Sequence, residues 1–276
     1  MCGSSEDNAQ FWNDICGTNA AINLGLTDRT LNSLEVFDKW FFGIYPYLMP
    51  FVNKALSKNL NVLEVGLGYG SVGYALINEG HTYCGLDIAN GPVQLMQYRI
   101  RESGQVGDAQ LGDVLKCPFE DSTFDAAIAI GSLHHTGNFD LAINELKRII
   151  IPGGTIIGMV YSYFSLRNWL RFPVKTFRLA LKNMRVPVRV NADEKLRWLS
   201  DHNDAGQAAP HTEYFSKRAL KKALSPAGSV TIRRRNLDSF PLPFGLSERF
   251  RLLLLKTPLQ NLLGLDLYFV LNITEL

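Results

Sequence analysis

A short β-branched run, Val62-Leu-Glu-Val65, gives way to three alternate glycines, Gly66, Gly68 and Gly70. A strand that ends in such a loop and turns into a helix lets the backbone approach a ligand closely and aims helix N–H groups at it. Asp87 ends the next run, Thr82–Asp87. In an open α/β sheet a carboxylate there faces the same crevice and can accept hydrogen bonds from a ribose. A second frame overlaps the first: Gly68-Tyr-Gly70-Ser-Val-Gly73 fits the dinucleotide fingerprint G-x-G-x-x-G, with Asp87 at a suitable distance, and would describe an NAD-dependent oxidoreductase. The first frame fits better, because Gly66 occupies the point where the strand ends and no hydride-transfer motif accompanies the second.

Two other groups could carry acid–base chemistry. His134 and His135 follow the run Phe124–Ile130. A histidine near its ordinary pKa can take a proton from a hydroxyl or an acidic carbon, and the same pair can instead orient backbone or pack. His211-Thr-Glu213-Tyr214-Phe215-Ser216 brings an imidazole, a carboxylate and a phenol together, either to hold a polar molecule or to open a helix capped by Ser216. Asp201-His202-Asn203-Asp204 is similar in kind. Cys2, Cys16, Cys84 and Cys117 form no C-x-x-C pair and no zinc spacing, so no metal is expected. Free thiols suit a reducing, cytoplasmic compartment.

Alternating elements must position these residues. The patterns predict strands at 61–65, 82–87, 109–111, 124–130 and 155–161. Helices are expected at 71–79 (N-capped by Ser71), 91–103 and 139–150. Such alternation signals an α/β fold, a Rossmann-like, doubly wound, mostly parallel seven-stranded sheet with helical lid insertions. Residues 1–60 read as a helical, aromatic-rich N-terminal cap, 61–161 as the core, and 162–212 as a helical basic lid insertion. Residues 213–276 complete the sheet through strands at 230–235 and 267–273, around an insertion at 236–264.

Three stretches carry a family resemblance: Gly112-Asp113; Phe124-Asp-Ala-Ala-Ile-Ala-Ile-Gly-Ser-Leu-His134-His135; and Glu145-Leu-Lys-Arg-Ile-Ile-Ile-Pro152-Gly153-Gly154. With the glycine loop, and in this order, they resemble the class I S-adenosylmethionine-dependent methyltransferases, in the broad group of the ubiquinone/menaquinone C-methyltransferases. The likeness covers about residues 60–161. It implies S-adenosylmethionine as cofactor. Gly66, Gly68 and Gly70 would line its methionine and ribose part, and Glu64 would orient that loop or reach the amino group. Asp87 would hold the ribose hydroxyls with Ile88 against the adenine. Asp113 would bind the adenine amino group beside Val114, and Ile130 and Gly131 would border the sulfonium. Candidate catalytic residues are His134, His135, His211 and Tyr214. Ile151 departs from the basic residue common before the Pro-Gly-Gly turn, a matter of surface charge.

The net charge of +2 over 276 residues gives no whole-protein basic field. Locally, no acidic residue occurs from Leu146 to Ala192, while Arg167, Arg171, Lys175, Arg178, Lys182, Arg185 and Arg189 recur at helical spacing. Leu170, Val174, Phe177 and Leu181 fall near the other face of that helix. The stripe can be a solvated face, an attractor of an anionic acceptor, or a peripheral membrane contact through 166–189. No interleaved basic and aromatic sheet face points to nucleic acid. The N-terminus lacks the pattern of a secretory signal, and no apolar run approaches the ~18 residues of a membrane span. The expected reaction is methylation of oxygen or carbon on a small, partly hydrophobic metabolite. The alternatives are the NAD-dependent oxidoreductase and a non-catalytic, methyltransferase-like binding subunit.

Overall fold

The computed structural model describes residues 5–15, 18–26, 28–203, 205–238 and 246–274. Cys2, Cys16 and Asp204 lie outside the described residues, as does part of the 236–264 insertion. The first five strands are β1 (Asn61–Val65), β2 (Thr82–Asp87), β3 (Asp108–Leu111), β4 (Phe124–Ile130) and β5 (Ile150–Tyr161). All five run parallel. β6 (Arg189–Asn191) and β7 (Glu213–Phe215) form a separate antiparallel pair. β8 (Gly228–Arg235) and β9 (Asp266–Ile273) finish the main sheet, with β9 antiparallel to both β5 and β8. The spatial order is β3-β2-β1-β4-β5-β9-β8. The direction of winding reverses between β1 and β4, and ligands of open α/β sheets sit at such a point.

Helices α1 (Ser5–Ile15), α2 (Thr18–Asn23), α3 (Leu31–Ile44) and α4 (Leu48–Ala55) precede the sheet. α5 (Ser71–Asn78), α6 (Asn90–Ser103) and α7 (Phe139–Ile149) are crossovers. α8 (Leu166–Arg171), α9 (Pro173–Arg185) and α10 (Glu194–Trp198) lie in the first insertion. α11 (Lys217–Leu224), α12 (Leu246–Leu254) and α13 (Leu259–Leu263) follow.

Strand alternation divides the core between two faces. Leu63 and Val65 pack with Phe139 and Leu146 of α7 and Leu220 of α11, while Val62 packs with Leu76 of α5, Met96 of α6 and Val52 of α4. Phe139 is completely buried, a side chain worth about 1.5–3 kcal/mol by that burial. Asn138 caps α7 through the Leu141 amide at 3.1 Å, and Ser216 caps α11 through the Ala219 amide at 3.0 Å, as its position predicted.

Three local expectations change. Ser71 is the first helical residue and not the cap; Gly70 holds that place at φ 76°, a left-handed conformation that glycine adopts without steric cost. Pro152-Gly153-Gly154 does not precede β5 but bulges within it, because pairing with β4 shifts register between Phe124–Ile150 and Ala126–Thr155. The segment 162–212 is not wholly helical: β6 folds back on β7, and Pro173 restarts the helix as the first residue of α9.

Two buried polar groups brace the glycine loop from behind. Arg99, 1% exposed, forks onto Asp38 of α3 at 2.8 and 3.0 Å and reaches the Gly70 carbonyl at 3.4 Å. Glu64 accepts the Tyr83 hydroxyl at 2.5 Å beneath α5. Burial pushes the Glu64 carboxyl up to about 8, against the opposing pull of that hydroxyl. Between its ordinary value of 4.5 and about 8 the folded chain keeps a proton that the unfolded chain has released, so stability falls as pH rises through this window. Glu64→Gln keeps an acceptor for Tyr83 and cannot ionise. Its stability relative to wild type should improve from about pH 5 to about pH 8, by on the order of 2 kcal/mol. Thermal melts across that range test this, and a difference independent of pH would contradict it.

Candidate active site

A cavity of about 420 Å³ opens at the carboxyl ends of β1, β2, β3 and β4, within the roughly 300–1,000 Å³ typical of small-molecule sites. Its floor is the glycine loop. Gly66 has φ 83°, and a Cβ there would lie 2.4 Å from the Ser132 Cβ. Ser132 in turn donates to the Val65 carbonyl at 2.6 Å, so the exits of β1 and β4 are stitched together in a contact only glycine permits.

Asp87 accepts the Leu67 amide at 2.7 Å and the Ala89 amide at 2.8 Å, one on each carboxylate oxygen. Burial raises its pKa while these amides favour the charged form. A carboxylate has about four lone-pair positions, so acceptor capacity remains for a ligand hydroxyl. Asp113 accepts the Leu115 amide at 2.9 Å and the Ser5 hydroxyl at 3.0 Å. Apolar walls between the two carboxylates come from Leu86, Ile88, Pro92, Val114 and Leu115.

The cavity therefore gathers Gly66, Gly68, Asp87, Ile88, Asp113, Val114, Ile130, Gly131, His135 and His211. It does not gather Glu64, Gly70, His134 or Tyr214. Glu64 and Gly70 stand behind the loop: a Cβ on Gly70 would meet Met96 at 3.0 Å and Arg99 at 3.1 Å. Gly73 of the dinucleotide frame is packed inside α5, where a Cβ would come within 2.4 Å of the Tyr83 hydroxyl and 2.5 Å of Glu64. That frame thus presents only Gly68 to the cavity.

His134 is fully buried between the rings of His135 (4.0 Å) and Tyr161 (4.3 Å), and neither ring nitrogen has a hydrogen-bond partner. Burial, then the neighbouring His135, holds it well below the ordinary value, so it is a neutral packing group. Tyr214 is buried on β7 with its hydroxyl against Ser200, also away from the cavity.

His135 has different surroundings. Its Nδ1 lies 2.9 Å from the His211 carbonyl, which can only accept, so Nδ1 carries the hydrogen. Nε2 lies 3.7 Å from Asp201 Oδ2, an oxygen with no hydrogen-bond partner, while Oδ1 receives the Tyr161 hydroxyl at 3.3 Å. Burial lowers the His135 pKa and the Asp201 charge opposes that. His202, by contrast, stacks on Trp198 at 4.6 Å outside the site.

Within the expected N-terminal cap, α1 supplies contacts that no sequence motif singled out. Asn8 of α1 donates to the His135 carbonyl at 3.2 Å and accepts the Trp12 indole N–H at 3.0 Å. The Trp12 ring meets His135 at 4.6 Å. Asn13 accepts the Gly91 amide at 2.7 Å. With Ser5 on Asp113, α1 spans the cavity mouth from β3 to β4. The partners of its polar residues are more than 75 residues away, so no local motif marks them.

The comparisons with known proteins agree with this geometry. Residues 63–158 match the methyltransferase domain model Methyltransf_11. The chain is 35% identical over 104 residues to a sterol 4-C-methyltransferase of Caenorhabditis elegans, covering 37% of this chain and 31% of that protein. It is 34% identical over 95 residues to a fatty-acid O-methyltransferase of Mycolicibacterium smegmatis, covering 34% of each. The chain thus spans about a third of the length of these curated relatives. Among solved structures, a SAM-dependent methyltransferase from Methanosarcina mazei superposes with a TM-score of 0.53 at 16% identity, over 82% of this chain and 98% of that one. One from Mesorhizobium loti gives 0.54 at 14% identity, over 87% and 99%. These structural likenesses establish the fold.

The roof generates a prediction. Trp12→Ala should speed dissociation of S-adenosylhomocysteine about tenfold in stopped-flow measurements, because it removes the ring that seats α1 on His135; an unchanged rate would show that α1 does not close the site. Residues 63–158, which build this crevice, are thus similar to a methyltransferase domain.

Proposed function

We propose that the whole chain methylates an oxygen or carbon atom of a small, largely apolar, lipid-like acceptor, and that His135, backed by Asp201, takes the proton which that atom sheds. S-adenosylmethionine, when bound, supplies a methyl group already activated on a sulfonium. The residues present fit it. Asp87 would take the ribose hydroxyls and Asp113 the adenine amino group, with Ile88 and Val114 against the ring. Gly66, Gly68, Ile130 and Gly131 would lie along the methionine and sulfonium part. Glu64 and Gly70 would act from behind the loop.

With an activated donor, the chain's own tasks are to align the acceptor, exclude water and receive a proton. The observations that support the proton assignment are the place of His135 in the cavity wall and, 3.7 Å from its Nε2, a carboxylate oxygen of Asp201 with no hydrogen-bond partner. A proton arriving on Nε2 gains a charged partner at Asp201, while the His211 carbonyl fixes the tautomer. Asp201 acts through His135 and is a positioning residue. The apolar acceptor is supported by the aromatic surroundings of His135, namely Trp12 and Tyr161, and by the names of relatives that act on sterols and fatty acids. The proposed compartment is the cytoplasm. Among the described residues no helix is long and apolar enough to cross a membrane.

Two variants test the proton assignment on an acceptor found by screening sterols and long-chain hydroxy compounds. His135→Gln should lower kcat by on the order of 10²–10⁴-fold. Asp201→Asn removes the charge that raises the His135 pKa, so the rising acid limb of kcat against pH should move to lower pH. An acid limb left in place, with only a uniform loss of rate, would reduce Asp201 to a structural part.

A further inference from the structure

The basic insertion does not bury the apolar stripe that its spacing suggested. Leu170, Val174, Phe177, Leu181 and Met184 are all between 51% and 74% exposed. α9 instead packs through Phe172, Leu179 and Ala180 onto Tyr163, Tyr214 and Val188, with Thr176 bonded to the Asn168 carbonyl at 3.0 Å. At about 100° per residue, α9 carries three stripes. One is packed, one is apolar and faces outward, and one, beside the apolar stripe, is basic: Arg178, Lys182 and Arg185, with Arg171 at the end of α8. Among the described residues these four cations form no ion pair, whereas Arg167, Lys175 and Arg189 are held by Asp238, Asp193, and Asp140 with Glu213.

We infer that α8 and α9 form a docking surface for an anionic phospholipid membrane. The occupant follows from charge complementarity. An outward apolar stripe along a 13-residue helix, about 20 Å long, needs an apolar medium, and the adjoining cations need a dense negative surface in the same plane. The boundary between acyl chains and anionic headgroups supplies both. A protein partner would have to present an apolar strip edged with carboxylates, and the stripe has no acidic residue of its own from Leu146 to Ala192 to order such pairing. The packed stripe fixes this surface to Tyr214 and, through its ring, to Tyr161 beside His135 and Asp201. Docking there would bring the site to the lipid. The inference stands whichever molecule is methylated.

The test is co-sedimentation of the full chain, without cofactor or acceptor, with vesicles of phosphatidylcholine alone or mixed with phosphatidylserine. Wild type should pellet with the mixed vesicles, less so as salt rises. Phe177→Asp with Leu181→Asp should weaken binding by at least about tenfold, with unchanged circular dichroism and S-adenosylhomocysteine affinity, because both side chains lie on the surface. Arg178→Glu with Lys182→Glu should abolish the salt-sensitive part. Absence of wild-type binding at low salt, or full binding by the Phe177/Leu181 variant, would overturn the inference. So would a concentration-dependent dimer in sedimentation velocity that this variant dissociates, since the occupant would then be a second copy.

Discussion

The carboxylate of Asp87 accepts amide protons from Leu67 in the glycine loop and from Ala89 in its own turn. Through that one side chain the exits of β1 and β2 hold a fixed distance, and the crevice between them keeps its width. Everything else in the site is built around this tie. Ser132 locks β4 to β1 across Gly66, and Arg99 with Asp38 anchors the N-terminal helices to Gly70. A buried charge is costly unless paired or hydrogen-bonded. Here that cost is offset by amides that would otherwise be unsatisfied at the strand ends.

Much of the fold was legible because a parallel sheet writes itself into local sequence. Each strand of the core is a short apolar run bounded by turn residues, and each crossover has helical periodicity, so β1, β2, β4 and their helices fall where the patterns put them. Several residues that line the cavity, among them Gly66, Asp87 and Gly131, were legible for the same reason: they sit at or just past strand ends. Long-range pairings were not. Nothing local distinguishes His134, buried and neutral, from its neighbour His135, which faces Asp201 across 66 residues. Tyr214 was drawn into the site by its neighbours His211 and Glu213, yet strand alternation on β7 turns it into the insertion's own core. Residues 1–60 read as a cap, but Ser5, Asn8 and Trp12 acquire meaning only once Asp113 and His135 stand beneath them.

The insertion illustrates how periodicity can identify a helix and still mislead about its faces. A helix with one apolar and one basic stripe is ordinarily assumed to bury the first. α9 has a third stripe, made of small and half-polar residues such as Thr176 and Ala180, and this is what packs. The helix that bears the exposed apolar stripe packs on Tyr214, whose ring meets Tyr161.

The crevice framed by Asp87 is where S-adenosylmethionine would bind. Isothermal calorimetry with S-adenosylhomocysteine, with NAD as control, tests it most directly on wild type and Asp87→Ala. Wild type should bind in the micromolar range and give no heat with NAD, and a variant that still folds should lose at least about tenfold in affinity, or 1.4 kcal/mol. Equal affinity in the variant, or binding of NAD in place of the sulfur compound, would contradict it.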